Sequence, residues 1–361
     1  MRPAVIAGAR PNFVKVGPLL KALRRSGIDP KLIHTGQHYD ESMSASFFRD
    51  LDIQPPDANL GVGSGSHAHQ TAAVMDAFDA WLDANPAIDT VIVVGDVNST
   101  LACTLVGTKR GIPVAHVEAG LRSGDRTMPE EINRILVDSV ADWLLTPSAD
   151  ADDNLRSEGA HESRIRRVGN IMVDSLFDAR KRRPEVTTID RLGLTGSKYG
   201  LMTLHRAALV DDAAKLADVI RSMNTLSETL PLVFPVHPRT ANMIKTLGLS
   251  PGPGLHLTEP LTYLDFVACQ ADASIVLTDS GGVQEETTCL GVPCLTLRES
   301  TERPVTVSHG TNEVVGVNPQ RALERAVARL SEPVIRRRPE LWDGKTADRV
   351  VAALATRPTF S

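Results

Sequence analysis

Two series of short, apolar, β-branched runs follow one another along the chain, and an amphipathic stretch separates each run from the next. This alternation is typical of parallel α/β layers, in which a helix returns the chain after every strand. The first series predicts strands at Ala4–Ala7, Lys31–His34, Thr90–Val94, Val114–Val117 and Trp143–Leu145. The second predicts strands at Leu201–Leu204, Leu232–Val236, Leu255–Leu257, Ser274–Thr278 and Cys294–Leu297. We therefore expect an α/β protein with two parallel sheets.

The length of the chain also favours two domains, because 361 residues exceed the usual size of one compact core. A polar stretch over Lys181–Lys198 predicts a connector between the two halves. We place the boundary so that residues 1–169 form an N-terminal domain and residues 170–345 form a C-terminal domain. The segment 346–361 is expected to contain a closing helix that packs back on the first domain.

The composition gives no sign of a nucleic-acid or membrane partner. The net charge is −5, and no basic cluster would attract a phosphate backbone or an anionic bilayer. No apolar run approaches the ~20 residues that span a bilayer, and the chain enters its first strand without a signal peptide. The 4 cysteines lack CxxC spacing and are expected to be buried and reduced. These features predict a cytoplasmic protein that acts on a small molecule.

The loop after the first predicted strand is a candidate anion site, since open parallel sheets bind ligands beyond the carboxyl ends of their strands. It reads Gly8-Ala9-Arg10-Pro11, and Lys15 lies in the predicted helix Phe13–Arg25 that follows. The loop is not GxGxxG, so it does not indicate a dinucleotide site. Arg10 either directs its guanidinium at a phosphate or belongs to a solvated turn.

A second candidate anion site follows the strand Ser274–Thr278. The string Asp279-Ser280-Gly281-Gly282 opens a helix there, and small residues at a helix start let backbone N–H groups and the helix dipole meet an anion. The alternative is that Ser280 only caps the helix. Glu286, further along the helix, suits the hydroxyls of a ribose. This combination predicts a site for a nucleoside diphosphate.

Three acids of the first half are candidates for acid–base chemistry. Asp96 and Glu118 follow predicted strands, and Glu130 opens a predicted helix. Single carboxylates at such positions are often caps or ion-pair partners, but three near one sheet edge favour proton transfer. His205 ends a strand of the second half and alone is undecided between a phosphate ligand and a structural residue.

No metal site is expected. The string Asp150-Ala151-Asp152 has the form DxD, but the sequence predicts that it lies at an exposed helix start. The histidines show no HExxH or related spacing. Any positive charge that a substrate needs would therefore come from side chains and helix ends.

Eight strings occur in the order that one enzyme family shows. They are Gly8-Ala9-Arg10-Pro11, Thr35-Gly36-Gln37-His38, Gly95-Asp96, His116-Val117-Glu118-Ala119-Gly120-Leu121-Arg122, Pro129-Glu130-Glu131-Ile132-Asn133-Arg134, His205-Arg206, Thr278-Asp279-Ser280-Gly281-Gly282-Val283-Gln284-Glu285-Glu286 and Thr301-Glu302-Arg303-Pro304. With them the chain closely resembles the non-hydrolysing UDP-N-acetylglucosamine 2-epimerases, from about residue 4 to residue 317.

The resemblance implies a GT-B-type fold, with two Rossmann-like domains facing a central cleft, and a homodimer. It implies reversible epimerisation of UDP-N-acetylglucosamine to UDP-N-acetylmannosamine at C2, through 2-acetamidoglucal and without a cofactor. Asp96, Glu118 and Glu130 match the family's catalytic acids, and His205 would stabilise the departing diphosphate. The substrate-binding positions implied are Arg10, Lys15, Arg134, Phe266, Ser280, Gly281, Gly282 and Glu286, with Phe266 packed on the uracil.

The chain departs from the family pattern after His205. Family members usually read His-Arg-x-Glu-Asn, whereas here His205-Arg206 is followed by Ala207-Ala208-Leu209. In bacterial relatives this segment and the loop of Gln37 and His38 contact a second UDP-N-acetylglucosamine, which activates the enzyme. The loss of the acid and the amide predicts weak or absent activation.

Three other functions compete with the epimerase interpretation. A hydrolysing epimerase would release free N-acetylmannosamine, but those enzymes are often fused to a sugar kinase, and we expect no such domain here. A glycosyltransferase of the same fold would not need three clustered acids. A non-enzymatic nucleotide-sugar sensor would be expected to lose some of them.

Overall fold

The computed structural model describes residues 1–36 and 48–358, and the chain divides into two compact units. The first unit comprises Met1–Phe177 and Glu340–Ser361, and the second comprises Asp178–Pro339. The division falls within the helix Ile171–Lys181, later than the boundary expected after residue 169. The physical reason lies in the first half of that helix, where the Ser175 hydroxyl donates a hydrogen bond to the Val14 carbonyl.

The first unit is built on a parallel sheet. Within the described residues its seven strands are ordered β3-β2-β1-β4-β5-β6-β7. The strands are β1 (Pro3–Ala7), β2 (Lys31–His34), β3 (Ala58–Asn59), β4 (Thr90–Val94), β5 (Val114–Val117), β6 (Trp143–Thr146) and β7 (Ile165–Arg167). The helices that lie before or across the division are α1 (Arg10–Arg25), α2 (His67–Ala84), α3 (Asn98–Lys109), α4 (Pro129–Val140), α5 (Ala149–Ser157) and α6 (Ile171–Lys181).

The second unit has the same architecture. Its backbone is described throughout, and its six parallel strands are ordered β10-β9-β8-β11-β12-β13. The strands are β8 (Gly200–Thr203), β9 (Leu232–Pro235), β10 (Leu255–Thr258), β11 (Ile275–Thr278), β12 (Cys294–Thr296) and β13 (Asn312–Val314). The helices are α7 (Thr188–Arg191), α8 (Ala207–Val210), α9 (Ala213–Ser227), α10 (Pro238–Thr246), α11 (Tyr263–Asp272), α12 (Gly281–Leu290), α13 (Val305–Ser308) and α14 (Pro319–Ser331).

In each unit the direction of strand winding reverses once, between β1 and β4 and between β8 and β11. The loops that leave these strands diverge to opposite sides of the sheet, and the crevice between them is where open sheets bind ligands. β1 and β4 are buried along their whole length, which explains their continuous apolar sequences. The carboxyl edge of each sheet at this reversal is therefore where a ligand would be expected to bind.

The end of the described chain returns to the first unit. Helix α15 (Thr346–Leu354) packs on α1, and Arg25 pairs with Asp348 at 2.6 Å. The carboxylate of Asp174 accepts hydrogen bonds from the backbone N–H groups of Thr346 and Ala347, at 3.1 and 2.8 Å. These bonds fix the start of α15 against α6.

The stretch Lys181–Lys198 is more ordered than a simple connector. Thr187 caps the short helix α7 through its hydroxyl, and Ile189 of that helix is buried in a cluster that includes Tyr199. The backbone N–H of Thr188 also donates to Asp265 at 2.9 Å. The mostly polar stretch therefore contains apolar side chains that anchor it to the second unit: Ile189 is buried, and Leu192 and Leu194 pack against the same cluster.

Candidate active site

The loop after β1 is fixed by Asn12. Its Oδ1 accepts hydrogen bonds from the N–H groups of Gly8 and Ala9, at 3.1 and 2.8 Å, and its Nδ2 donates to the Val94 carbonyl at the end of β4. Arg10 begins α1, and its side chain is outside the described part of the structure. Gln37 and His38, expected at an effector site, also lie outside the described residues.

Lys15 and Glu118 form an ion pair beside this loop. Lys15 lies on α1 and Glu118 follows β5, with side chains only 10% and 6% exposed. A Cβ atom added to Gly95 would lie 3.0 Å from Lys15 Nζ and 3.7 Å from Glu118 Oε2, so the Asp96 loop passes close to the pair. Glu118 has a φ of +76°, a conformation that costs a non-glycine residue about 1–3 kcal/mol.

Asp96, which follows β4, is held by Arg134 of α4. The guanidinium donates to Asp96 Oδ2 through Nε at 3.0 Å and Nη2 at 2.5 Å. Its Nη1 donates to Glu131 at 2.9 Å. Arg134 therefore contacts two carboxylates of the first unit in this structure, and its expected role as a substrate ligand stays a prediction.

Glu130 and Glu131 open α4, and the structure gives them different environments. Glu131 is buried and accepts from the N–H groups of Ser123 and Gly124, both at 2.9 Å. Burial alone would raise the pKa of Glu131, but these bonds and Arg134 outweigh burial and lower it. Glu130 is half-buried, and among the described residues its carboxylate has no hydrogen-bond partner. Glu131 is thus a structural carboxylate, whereas the Glu130 side chain is partly exposed.

In the second unit, Asp279 positions His205. Its Oδ2 accepts from the backbone N–H groups of His205 and Arg206, at 2.9 and 2.8 Å, and its Oδ1 lies 2.8 Å from His205 Nδ1. Burial favours the neutral acid, but the bonds from His205 and Arg206 outweigh it and lower the pKa of Asp279. The His205 side chain is 55% exposed. Asp279 therefore orients the ring through Nδ1, and the remainder of the ring is accessible to a ligand.

The start of α12 is suited to an anion. Ser280 occupies the N-cap position, yet its side chain makes no capping hydrogen bond, so the capping alternative fails. A Cβ atom added to Gly281 would lie 2.6 Å from Nη1 of Arg303, so only glycine lets this guanidinium approach the helix start. Arg303 is in turn paired with Glu285, at 2.8 Å. Arg303 belongs to the motif Thr301-Glu302-Arg303-Pro304, but the sequence alone did not indicate a role for it.

Glu286, expected to accept from a ribose, is buried in this structure. Burial raises the pKa of Glu286 to about 8, although the Tyr263 hydroxyl, which donates to its Oε1 at 3.3 Å, opposes the shift. Phe266 lies three positions after Tyr263 on α11 and is half-buried against a cluster that includes Val283. Tyr263 is a second site candidate that sequence reasoning missed.

The string Asp150-Ala151-Asp152 was expected at an exposed helix start, but its last residue is not exposed. Asp152 is buried and accepts hydrogen bonds from Thr146 and from Arg167, which therefore fix it as a structural residue. Within residues 1–36 and 48–358 no group of three or more His, Cys, Asp or Glu side chains is placed to hold a metal ion. The helices of these residues include none that is long and apolar enough to cross a membrane.

A family model described as UDP-N-acetylglucosamine 2-epimerase matches residues 21–355. The chain belongs to this family. A UDP-N-acetylglucosamine 2-epimerase of Methanocaldococcus jannaschii is 39% identical over 98% of this chain and 99% of the relative. A UDP-2,3-diacetamido-2,3-dideoxy-D-glucuronate 2-epimerase of Pseudomonas aeruginosa is 38% identical over 92% of this chain and 94% of the relative.

Solved structures of the family agree with the fold. A crystal structure of the Methanocaldococcus jannaschii UDP-GlcNAc 2-epimerase, in complex with UDP-GlcNAc and UDP, has a TM-score of 0.89 at 38% identity. The match covers 98% of this chain and 99% of that one. The predicted α/β class with two Rossmann-like domains of GT-B type is confirmed, and so is the prediction that the chain is an epimerase, an isomerase.

Proposed function

We propose that the chain interconverts UDP-N-acetylglucosamine and UDP-N-acetylmannosamine by eliminating and re-adding UDP. The observation that carries the proposal is the pairing of two carboxylates with two cations at one sheet edge, Glu118 with Lys15 and Asp96 with Arg134. Epimerisation at C2 removes a proton from one face of the sugar and returns one to the other. It therefore needs more than one positioned acid or base, and Glu130 supplies a third carboxyl group.

Chemistry explains why UDP has to leave. The C2 proton is not adjacent to a carbonyl group and is very weakly acidic, so direct removal would be prohibitively slow. Departure of UDP builds positive charge at C1, which acidifies C2 and leads to 2-acetamidoglucal. If UDP stays bound, its return is effectively intramolecular, which is a large advantage over capture from solution.

The second unit is proposed to hold the UDP. Backbone N–H groups at Ser280, Gly281 and Gly282, together with the exposed ring of His205, would bind the diphosphate and stabilise it as it departs. Arg303 beside Gly281 is added to this set, and Arg10 remains in it as a prediction. Glu286 is proposed to meet the ribose and Phe266 the uracil.

The relative named as a UDP-2,3-diacetamido-2,3-dideoxy-D-glucuronate 2-epimerase supports that UDP-sugar as a second candidate substrate. Its identity to this chain, 38%, nearly equals the 39% of the UDP-N-acetylglucosamine epimerase. Both substrates carry an acetamido group at C2, so the same elimination would serve either one. Discrimination would depend on contacts to C3 and C6 of the sugar.

Incubation of the protein with each of the two UDP-sugars in heavy water, followed by NMR of the products, tests the proposal. We expect deuterium at C2 of UDP-N-acetylmannosamine, because elimination exposes the proton to a carboxyl group that exchanges with solvent. Turnover of only the glucuronate would select the second candidate. Free sugar plus UDP would indicate hydrolysis, and unlabelled substrate without epimer would contradict any epimerase.

Three further expectations belong to the proposal. A reducing, cytoplasmic setting fits the four cysteines, which are all buried and free of disulfide bonds. A homodimer, implied by the family resemblance, stays a prediction that measurement of the mass in solution would test. EDTA is expected to leave turnover intact, because side chains and a helix start supply the positive charge.

A further inference from the structure

A buried pair, His116 and Asp138, lies behind the acids of the first unit. His116 is the third residue of β5 and is 0% exposed, and Asp138 lies on α4 and is 2% exposed. The imidazole Nδ1 lies 2.6 Å from Asp138 Oδ1. Buried polar groups of this kind need a reason, because apolar residues of similar size would fill a strand and a helix face without desolvation cost.

The other ring nitrogen of His116 reaches the Asp96 loop. Nε2 lies 2.8 Å from the carbonyl oxygen of Gly95, which is the residue before Asp96. A carbonyl can only accept, so Nε2 donates this bond. Burial would raise the pKa of Asp138, but its interactions with His116 and Arg122 outweigh burial and lower it. The carboxylate is therefore ionised and accepts the bond from Nδ1.

The second oxygen of Asp138 holds the Glu118 loop. Its Oδ2 accepts from the N–H of Gly120 at 3.0 Å and lies 2.8 Å from Nη1 of Arg122. His116 and Gly120 flank Glu118 at two residues on either side, so Asp138 fixes both flanks of the residue with the unfavourable φ of +76°. A conformation of that kind persists only where its surroundings over-determine it.

We propose that His116 and Asp138 are positioning residues that set Asp96 and Glu118 relative to one another. The pair contacts the segment of each acid, and Asp138 lies on the same helix as Glu130. Neither side chain is exposed, so neither touches the substrate. The proposal rests on the acid–base roles of the proposed function, and it goes beyond them by naming what holds the acids in place.

Asp152 offers a matched control. It is also a buried aspartate of the first unit, 3% exposed, on the next helix, and its hydrogen bonds go to Thr146 and Arg167. Asp138→Asn and Asp152→Asn each replace a buried carboxylate by an amide of equal size. If buried charge only stabilises the fold, the two variants should behave alike.

Turnover, KM and the thermal unfolding midpoint of both variants are compared at a temperature well below unfolding. We expect Asp138→Asn to lower kcat by about 10- to 100-fold with KM changed less than about twofold, since a misplacement near 1 Å has a cost of this size. Asp152→Asn should keep the wild-type kcat. Equal kcat values for the two variants would overturn the proposal.

Two substitutions of His116 test its two hydrogen bonds one at a time. The amide of His116→Gln can replace Nε2 and donate to the Gly95 carbonyl, whereas that of His116→Asn can replace Nδ1 beside Asp138. We expect the Gln variant to keep more of kcat than the Asn variant, because it retains the link to the Asp96 loop. Wild-type kcat in both would contradict positioning. If Asp138→Asn, His116→Gln and His116→Asn all fail to fold while Asp152→Asn folds, the pair serves only the stability of the fold, and the proposal is wrong.

The amide variants Asp96→Asn and Glu118→Gln distinguish a failure of the positioning proposal from a failure of the proposed function. If the two acids act in proton transfer, each should lose about 10²–10⁴-fold in kcat. If both variants retain activity, the proposed acid–base roles of Asp96 and Glu118 are wrong. Activity lost in both, with Asp138→Asn unaffected, would leave the roles intact and reject only the positioning pair.

Discussion

Lys15 and Glu118 form an ion pair that is almost closed to solvent, although their segments are far apart in the sequence. A pair buried in this way has a large desolvation cost, and its attraction offsets that cost only while both charges are present. Removing one partner leaves the other charge buried without this countercharge. The pair therefore couples the stability of the first unit to the group that we propose for proton transfer.

Lys15→Met should lower the free energy of unfolding by about 3 kcal/mol, because Glu118 then loses its buried countercharge. The double variant Lys15→Met/Glu118→Gln should regain most of that loss, since neither charge remains. Urea unfolding of the wild type, both single variants and the double variant measures the coupling. Additive losses in the double variant would show that the pair does not interact in this way.

The strand pattern could be predicted from the sequence because buried parallel strands are continuous apolar runs. β3, β7 and β13 were missed because they are two or three residues long and lie at sheet edges. Such strands owe their pairing to the neighbouring strand rather than to their own residues. The polar sequence around α7 likewise gave no sign that Ile189 is buried.

The candidate site was predictable where a strand end fixes the position of a residue, as for Asp96 and Glu118. Contacts between distant segments could not be predicted. The approach of Arg303 to Gly281 joins two parts of the second unit, and the burial of Asp152 depends on Arg167 of β7. Glu286 was predicted as a ribose-binding residue, but the sequence gave no sign of its burial, which depends on the packing of α11 against α12.

Gly281→Ala should weaken UDP binding by about tenfold or more. The new methyl group would lie 2.6 Å from Nη1 of Arg303 and force the guanidinium away from the helix start. Loss of one hydrogen bond to a charged group has a cost of about 1.5–3 kcal/mol. Gly252→Ala is the matched control, because its methyl would meet Asn224 only at 3.4 Å or more. Titration calorimetry with UDP measures both, and equal affinities would remove Arg303 from the site.

Glu286 should make the stability of the protein depend on pH. Its pKa rises from 4.5 to about 8 because the carboxyl group is buried. The folded state therefore binds more protons than the unfolded state between these values, and the free energy of unfolding falls as pH rises through this window. Between pH 6.5 and 8 the loss should be on the order of 2 kcal/mol at 25 °C.

Glu286→Gln isolates this effect, since an amide of equal size does not titrate. The wild type should lose more stability than the variant between pH 6.5 and 8 in urea unfolding, and other groups cancel in the comparison. Parallel curves for the two proteins would show that Glu286 titrates at its ordinary pKa.

The segment after His205 bears on activation by a second substrate molecule. Leu209, at the position where the family has an amide, is 2% exposed and belongs to the core of the second unit. Arg206 donates to the Asp279 carbonyl through Nε at 3.1 Å. A second UDP-sugar would therefore find no polar side chain at Leu209. An effector shifts a conformational equilibrium only by its differential affinity for the two states.

We therefore expect little or no activation by UDP-N-acetylglucosamine. The loss of one charged hydrogen bond alone lowers an affinity by roughly ten- to a hundredfold. The reaction is run in reverse from pure UDP-N-acetylmannosamine, with and without a trace of UDP-N-acetylglucosamine, and product is followed from the first seconds. Linear progress in both reactions is expected, because the first binding event suffices. A lag that the trace abolishes would show that the effector site functions without the family's acid and amide.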